Sequence, residues 1–204
     1  MSVPDASFPD VPADRLRDGG WTLVDERVET VFRLPTARVE GATRVYDDAE
    51  TRAAVEAATG IDRQWRFFFA TALSFTPPLS PGIGPAMILP TVRSEAQSAF
   101  ADQLRDRGFE DVERGRTERV RVDSGDRARL RTYSASLALD DADATLSITG
   151  WVGVWHGDGF RIAAGAYPDR SLAALLGVSD PDDALQRAPS DYQSELLTLI
   201  RAVH

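Results

Sequence analysis

Alternation of side chains is strong along Thr145–Tyr167. Leu146, Ile148, Val152 and Val154 fall on one parity; Thr145, Ser147, Thr149, Trp151 and Trp155 fall on the other. A period of two over this length predicts a pair of strands. Gly157-Asp158-Gly159 supplies the tight turn between them. A three-residue loop sets Val154 opposite Ile162, Val152 opposite Ala164, Trp155 opposite Arg161 and Trp151 opposite Gly165. A Trp beside an Arg makes a cation–π pair, and a Trp over a Gly shields bare backbone. Alternatively, Trp151 and Trp155 form an aromatic floor for a ligand.

Gln64–Phe75 shows a different pattern. Trp65, Phe67, Phe69 and Leu73 are apolar on one parity, and Phe68, Ala70 and Ala72 on the other. A strand apolar on both sides must be covered on both sides, so it belongs in the middle of a layered sheet. Further strands are predicted at Val28–Leu34 and Thr36–Tyr46, with a bulge at Gly41. Another hairpin is predicted at Glu110–Asp123 and Arg127–Leu139, with its loop at Ser124–Asp126.

Helical spacing marks five other segments. Asp48–Thr59 is capped by Asp47 and stopped by Gly60, with Ala49, Ala53 and Ala57 on one face. Arg93–Gly108 presents Ala96, Ala99, Phe100 and Leu104 together. Ser171–Leu176 and Asp182–Ala188 are short. Asp191–Val203 aligns Tyr192, Leu196, Leu199, Ile200 and Val203. Thr76–Pro90 carries five prolines, which argues against regular structure over most of it. Its Leu79, Ile83, Met87 and Ile88 are too apolar for a free loop. It reads as a crossover lying on the core, or as a pocket lip or partner surface. These elements predict an α+β fold: a single antiparallel sheet of six to seven strands with helices packed on both faces. Residues 1–20 read as a loosely ordered N-terminal arm and 21–204 as one domain.

Composition narrows the function classes. Net charge is −9, from 32 acidic and 23 basic residues, and every basic residue is Arg. An acidic surface of this kind keeps a protein hydrated in concentrated salt and disfavours nucleic-acid binding. There is no Cys, and therefore no disulfide or thiolate chemistry. No apolar run is long enough to span a bilayer, and the first twenty residues have no secretory pattern. A cytoplasmic location is the resulting expectation.

Candidate chemistry is sparse. His156, at a hairpin tip beside Asp158 and Arg161, is the weak candidate for a general base. Asp140–Asp143 lacks the spacing of a calcium loop and reads as a solvated turn. No metal site or cofactor motif is found. The loop at Ser124–Asp126 sets Arg121 opposite Arg129 and Arg119 opposite Arg131. Like charges so placed repel, unless Glu118, Asp123 and their neighbours bridge them or an anion does. The four arginines are therefore a candidate anion site.

The order of strands, helix, doubly buried strand, Pro-rich crossover, helix, meander and C-terminal helix resembles the Mog1/PsbP-like α/β/α sandwich. That resemblance implies a non-catalytic binding or adaptor role. The Arg-only, Asp-rich chain with Trp151-Val-Gly-Val-Trp155 also resembles a haloarchaeal family of uncharacterised proteins, whose members often bear a lipoprotein signal that is not seen here. The expectation is a binding domain for an unknown protein or small molecule, monomeric or weakly dimeric. The alternative is an enzyme or carrier acting on a small anionic or apolar ligand.

Overall fold

A computed structural model describes residues 7–204. In chain order the elements are α1 (Ala13–Asp18), β1 (Trp21–Leu34), β2 (Ala37–Asp48), α2 (Ala49–Thr59), β3 (Phe67–Thr76) and α3 (Pro85–Asp106). They continue with β4 (Glu110–Arg121), β5 (Arg127–Leu139), β6 (Ala144–His156), β7 (Phe160–Pro168), α4 (Leu172–Leu176), α5 (Asp183–Gln186) and α6 (Pro189–Ala202). The fold is α+β. Seven strands form one sheet in the order β1-β2-β3-β7-β6-β5-β4, with every neighbouring pair antiparallel.

The doubly apolar segment explains the layering. β3 lies between β2 and β7, and its alternating side chains feed two separate cores. Phe67, Phe69 and Leu73 join Phe100 and Leu104 of α3 on one face. Phe68 and Ala70 join Leu196, Leu199 and Ile200 of α6 on the other. Burying each large side chain is worth about 1.5–3 kcal/mol, so this strand anchors both layers. On the α3 face, Phe100 sits edge-on to Tyr133 at 5.3 Å between centroids. Gly150 makes room for that ring, since a Cβ there would lie 2.9 Å from it. The β6–β7 register is the predicted one, Trp155 opposite Arg161 and Trp151 opposite Gly165.

Several local expectations are corrected. α3 begins at Pro85, so Pro85–Pro90 is helical. Pro85 occupies the first turn, where the missing N–H has no partner in any case, and Pro90 is accommodated one turn later. Gly41 is no bulge; it pairs continuously with Glu29 and Leu73. Its lack of a side chain instead lets Val31 and Thr71 close over it, each 2.9 Å from a notional Cβ. The irregularities fall on β1, between Leu23 and Asp25 and between Thr30 and Phe32. α2 is capped by Asp48, not Asp47, and buries Thr51 and Val55 rather than the alanine face. The β4–β5 register is shifted by two residues: Arg119 faces Arg129 and Arg121 faces Arg127. The turn closes at Val122 and Asp126. An even shift leaves every side chain on its predicted face.

The N-terminal arm is docked over its described part. Val11 is buried, and Asp10 exchanges two backbone hydrogen bonds with His204, at 2.7 and 3.1 Å. Residues 1–6 of the predicted arm lie outside the described residues.

Candidate functional site

β4 and β5 carry Val120, Val122, Ala128 and Leu130 toward α6, so the intervening arginines all point to the α3 face. Arg121 pairs with Arg127, Arg119 with Arg129, and Thr117 with Arg131. Two successive rungs of like charge are thus stacked at the free edge of the sheet. α3 adds a further arginine. Gln97 accepts a hydrogen bond from the Tyr133 hydroxyl at 3.0 Å, which fixes the helix over β5. Arg93, one turn earlier, therefore stands over Arg129 and Arg119. Arg119, Arg121 and Arg127 are exposed, whereas Arg93, Arg129 and Arg131 are half-buried.

The carboxylates expected to neutralise this face are engaged elsewhere. Glu118 binds Arg116 at 2.7 Å, and Asp123 binds Arg15 at 3.2 Å. Among the described residues, none of the six arginines has a carboxylate oxygen within 4.0 Å. Arg121 and Arg131 donate instead to the backbone carbonyls of Gly125, at 2.9 Å, and Gly115, at 3.0 Å. Those bonds hold the side chains in place without cancelling their charge. Burial, and then the charges on Arg129 and Arg119, pull the Arg93 guanidinium below its ordinary value. The buried Nε atoms of Arg93 and Arg131 lack hydrogen-bond partners.

His156 lies at the same end of this face. Arg129 pairs with Val154, and His156 is two residues further along β6 on the same side. The two hairpin tips touch: a Cβ on Gly157 would lie 2.3 Å from the Asp126 carboxylate. The two hairpins thus bring the arginines and His156 to the same end of the sheet. The ring of His156 packs edge-on against Phe160 at 4.6 Å, and no carboxylate among the described residues is hydrogen-bonded to it. Arg93 and Arg127 were missed as members of the cluster. Helical spacing carried the signal for Arg93, which lies three and seven residues before the core-facing Ala96 and Phe100.

The aromatic-floor idea is corrected. Trp151 and Trp155 are each 1% exposed, within the core on the α6 face. Trp151 donates to the Tyr167 hydroxyl at 3.4 Å. Leu79, Ile83 and Met87 differ in exposure. Leu79 and Ile88 pack on the core, Ile83 is half-buried, and Met87 stands alone at 67% exposure. The other large exposed apolar side chains are Leu23, Val24, Val28 and Val31 on edge strand β1. A hollow between β1 and α3, lined by Phe69, Phe100 and Ile162, measures about 60 Å³. That is room for a few water molecules and not for a carried ligand.

A second arginine arrangement was not foreseen. Arg66 is 1% exposed, with its guanidinium between Trp21 and Tyr192, at 4.7 and 4.4 Å from the ring centres. It pairs with Asp48 at 2.5 Å. Its Nη2 lies 3.2 Å from Glu195, in ion-pair contact but not aligned for a hydrogen bond. Glu195 also accepts from the Trp21 indole at 2.5 Å and pairs with Arg187. Asp48 caps α2 through Thr51, at 2.9 Å to the amide and 2.6 Å to the hydroxyl. This box ties β1, β2, α2 and α6 to the residue that leads into β3.

Fold and surface together define a layered α+β domain with a cluster of arginines on one face. The chain belongs to the family described as Domain of unknown function (DUF6517), whose model matches residues 8–204. No curated protein and no solved structure matches the chain. No helix among the described residues is long and apolar enough to cross a membrane.

Proposed function

We propose that this is a non-catalytic binding domain whose arginine face receives an acidic, extended segment of a partner protein. One observation carries the reading. In a chain with more acidic than basic residues, six arginines gather on one face with no carboxylate partner among the described residues. Two like-charged rungs destabilise the free domain unless something bridges them. Guanidinium forks grip carboxylates bidentately, and the site is an open strand surface rather than an enclosed cavity. Consecutive same-face residues of an extended chain recur at about 6–7 Å, close to the spacing of the arginine rungs.

The sandwich-like element order supports an adaptor role. The Lys-free, acidic composition supports a cytoplasm of concentrated salt, such as that of a halophilic archaeon. There the Debye length is about 3 Å, so the face must work by direct contact and not by long-range steering.

The test is a titration with a labelled decaglutamate peptide, a Gly-Ser peptide of equal length, and inorganic tripolyphosphate. Decaglutamate binds and the Gly-Ser peptide does not. Replacing Arg119 and Arg129 together by Gln weakens binding by roughly tenfold or more, the scale of one or two lost charge-assisted contacts. Binding of tripolyphosphate without decaglutamate would replace the partner reading with a small-anion site. Binding of neither would overturn both.

The nearness of His156 to the arginines favours an enzyme acting on a small anion as the second reading. His156→Gln leaves decaglutamate affinity unchanged within about twofold if the binding reading holds, because in that reading the arginines alone make the ionic contacts.

A further inference from the structure

A different cleft opens on the α3 face at the opposite end of the sheet. Six residues of β6 separate Ile148, on its floor, from Val154 beside the arginine face. At strand rise that is about 20 Å. The cleft measures about 370 Å³, within the range of small-ligand sites. Its floor is apolar, formed by Phe109, Leu137, Ile148 and Ala166. Its mouth is cationic, with Arg63 from the α2–β3 connection and Arg107 from the end of α3.

Three features make this more than a surface dent. Arg107 is held flat, its guanidinium 4.0 Å from the centre of the Phe67 ring and hydrogen-bonded to Gln64. Stacking of this kind presents the edge of a guanidinium to whatever enters. The rim carboxylate, Asp62, is occupied by Arg52 at 2.5 Å, and neither Arg63 nor Arg107 has a carboxylate partner among the described residues. Finally, Trp65 lines the cleft while only 3% exposed, and its indole N–H has no hydrogen-bond partner. A buried donor without an acceptor is unusual enough to call for an explanation, and an incoming acceptor supplies one.

We propose that this cleft binds a small organic carboxylate with an apolar body. The carboxylate meets Arg63 and Arg107, the body lies on the Phe109–Leu137–Ile148 floor, and an acceptor on the ligand receives the Trp65 N–H. The site is independent of the arginine face: the two share no residue, and either can fail alone.

The test uses ¹⁵N-labelled full-length protein and follows the four tryptophan indole N–H resonances, assigned through bonds. The probes are 3-phenylpropionate and its uncharged amide. The carboxylate moves the Trp65 resonance in a saturable way and leaves those of Trp151 and Trp155 in place. The amide binds at least about tenfold more weakly, as does the carboxylate to Arg107→Gln, each having lost one charge-assisted contact. Arg107 is at the surface, so this variant folds if the wild type does. Arg63→Gln, also outside the cores, gives a second reading. A Trp65 resonance unmoved up to the solubility limit of the probe would overturn the proposal. Equal binding of acid and amide would overturn its anionic half, and unchanged affinity in both arginine variants would remove the cationic mouth from it.

Discussion

Arg66 and Arg129 are the same side chain under opposite conditions. Arg66 is enclosed, stacked between two rings, and matched to Asp48 and Glu195. Arg129 is half-open, faces Arg119 across the ladder, stands beneath Arg93, and has no carboxylate within reach. Both lie in a chain with a surplus of acids, so scarcity of partners does not explain the difference. Local geometry does. The Arg66 guanidinium is ion-paired with Asp48 and Glu195 and enclosed by residues of β1, β2 and α6, so its charge is matched within the fold even though its Nε and Nη2 make no hydrogen bond among the described residues. The arginine face has no carboxylate within ion-pair distance among the described residues, and its nearest expected partners are engaged elsewhere, Glu118 with Arg116 and Asp123 with Arg15. A satisfied charge cluster holds a fold together, whereas an unsatisfied one is available to something outside it.

The comparison breaks most readily at Asp48. Asp48→Ala leaves Arg66 buried and poorly paired and removes the cap of α2. The expected loss is about 3–5 kcal/mol for the stranded charge, with about 1 kcal/mol more for the cap. Urea unfolding followed by circular dichroism measures it. Asp48→Asn keeps an oxygen for the Thr51 amide and so separates the two contributions. Combining Arg66→Met with Asp48→Asn recovers much of the loss, since an apolar replacement of a buried pair is often neutral. If Asp48→Ala costs less than about 1 kcal/mol, the box is not a structural unit and the contrast with the open face fails.

Smaller effects are expected around the edge of the box. Tyr192 stacks on Arg66 and donates to the Ala184 carbonyl at 3.4 Å. Tyr192→Phe keeps the ring and loses about 1 kcal/mol with the hydroxyl. The same hydroxyl sharpens the pH response. Burial pushes the Tyr192 phenol above its ordinary value of 10.0, against the opposing pull of Arg66 and Arg187. Burial acts in the same direction on Tyr46, Tyr133 and Tyr167. The folded state then holds these protons more tightly than the unfolded chain. Their contribution to stability is complete below pH 10 and is lost as pH rises through the folded values. Thermal unfolding followed above pH 10 falls more gently in Tyr192→Phe than in the wild type. Equal slopes would show that Tyr192 is not among the groups responsible.

The two regions also differ in how far they could be read from residues alone. The arginine face rests on period two: once β4 and β5 were recognised, Arg119, Arg121, Arg129 and Arg131 had to share a side, and even a two-residue register slip preserved it. Its nearness to His156 is not legible in the sequence, because strand direction alone does not say which hairpin tips adjoin. Arg66 was hidden by the signal around it. Trp65-Arg66-Phe67-Phe68 reads as one apolar run, yet a charge at a core parity is itself the anomaly that marks a buried pair. Its partners, 18 positions before it at Asp48 and far along the chain at Glu195, are brought near only by the tertiary fold. Trp151 and Trp155 were assigned the correct side but not their burial, which depends on where α6 docks. Pro85 fits the first turn of α3, where proline is tolerated, but Pro90 lies inside the helix, where a proline count alone argues against helix and the packing of the rest of α3 overrides it.

The smallest predicted change has the opposite sign. Arg129→Gln removes one member of a repelling set and leaves no carboxylate behind, so the free domain gains stability, by up to about 1 kcal/mol at low salt. Arg119→Gln does the same alone. The pair together gains less than the sum, because the first substitution already abolishes the repulsion that the second would relieve. Raising salt from 0.1 to 1 M shortens the Debye length from about 10 to about 3 Å and erases the gain. A salt-dependent stability gain that comes with loss of decaglutamate binding marks a face kept for a ligand at the expense of the fold. A loss of more than about 1 kcal/mol in Arg129→Gln would mean instead that the fold itself holds this charge, and Arg129 would belong with Arg66.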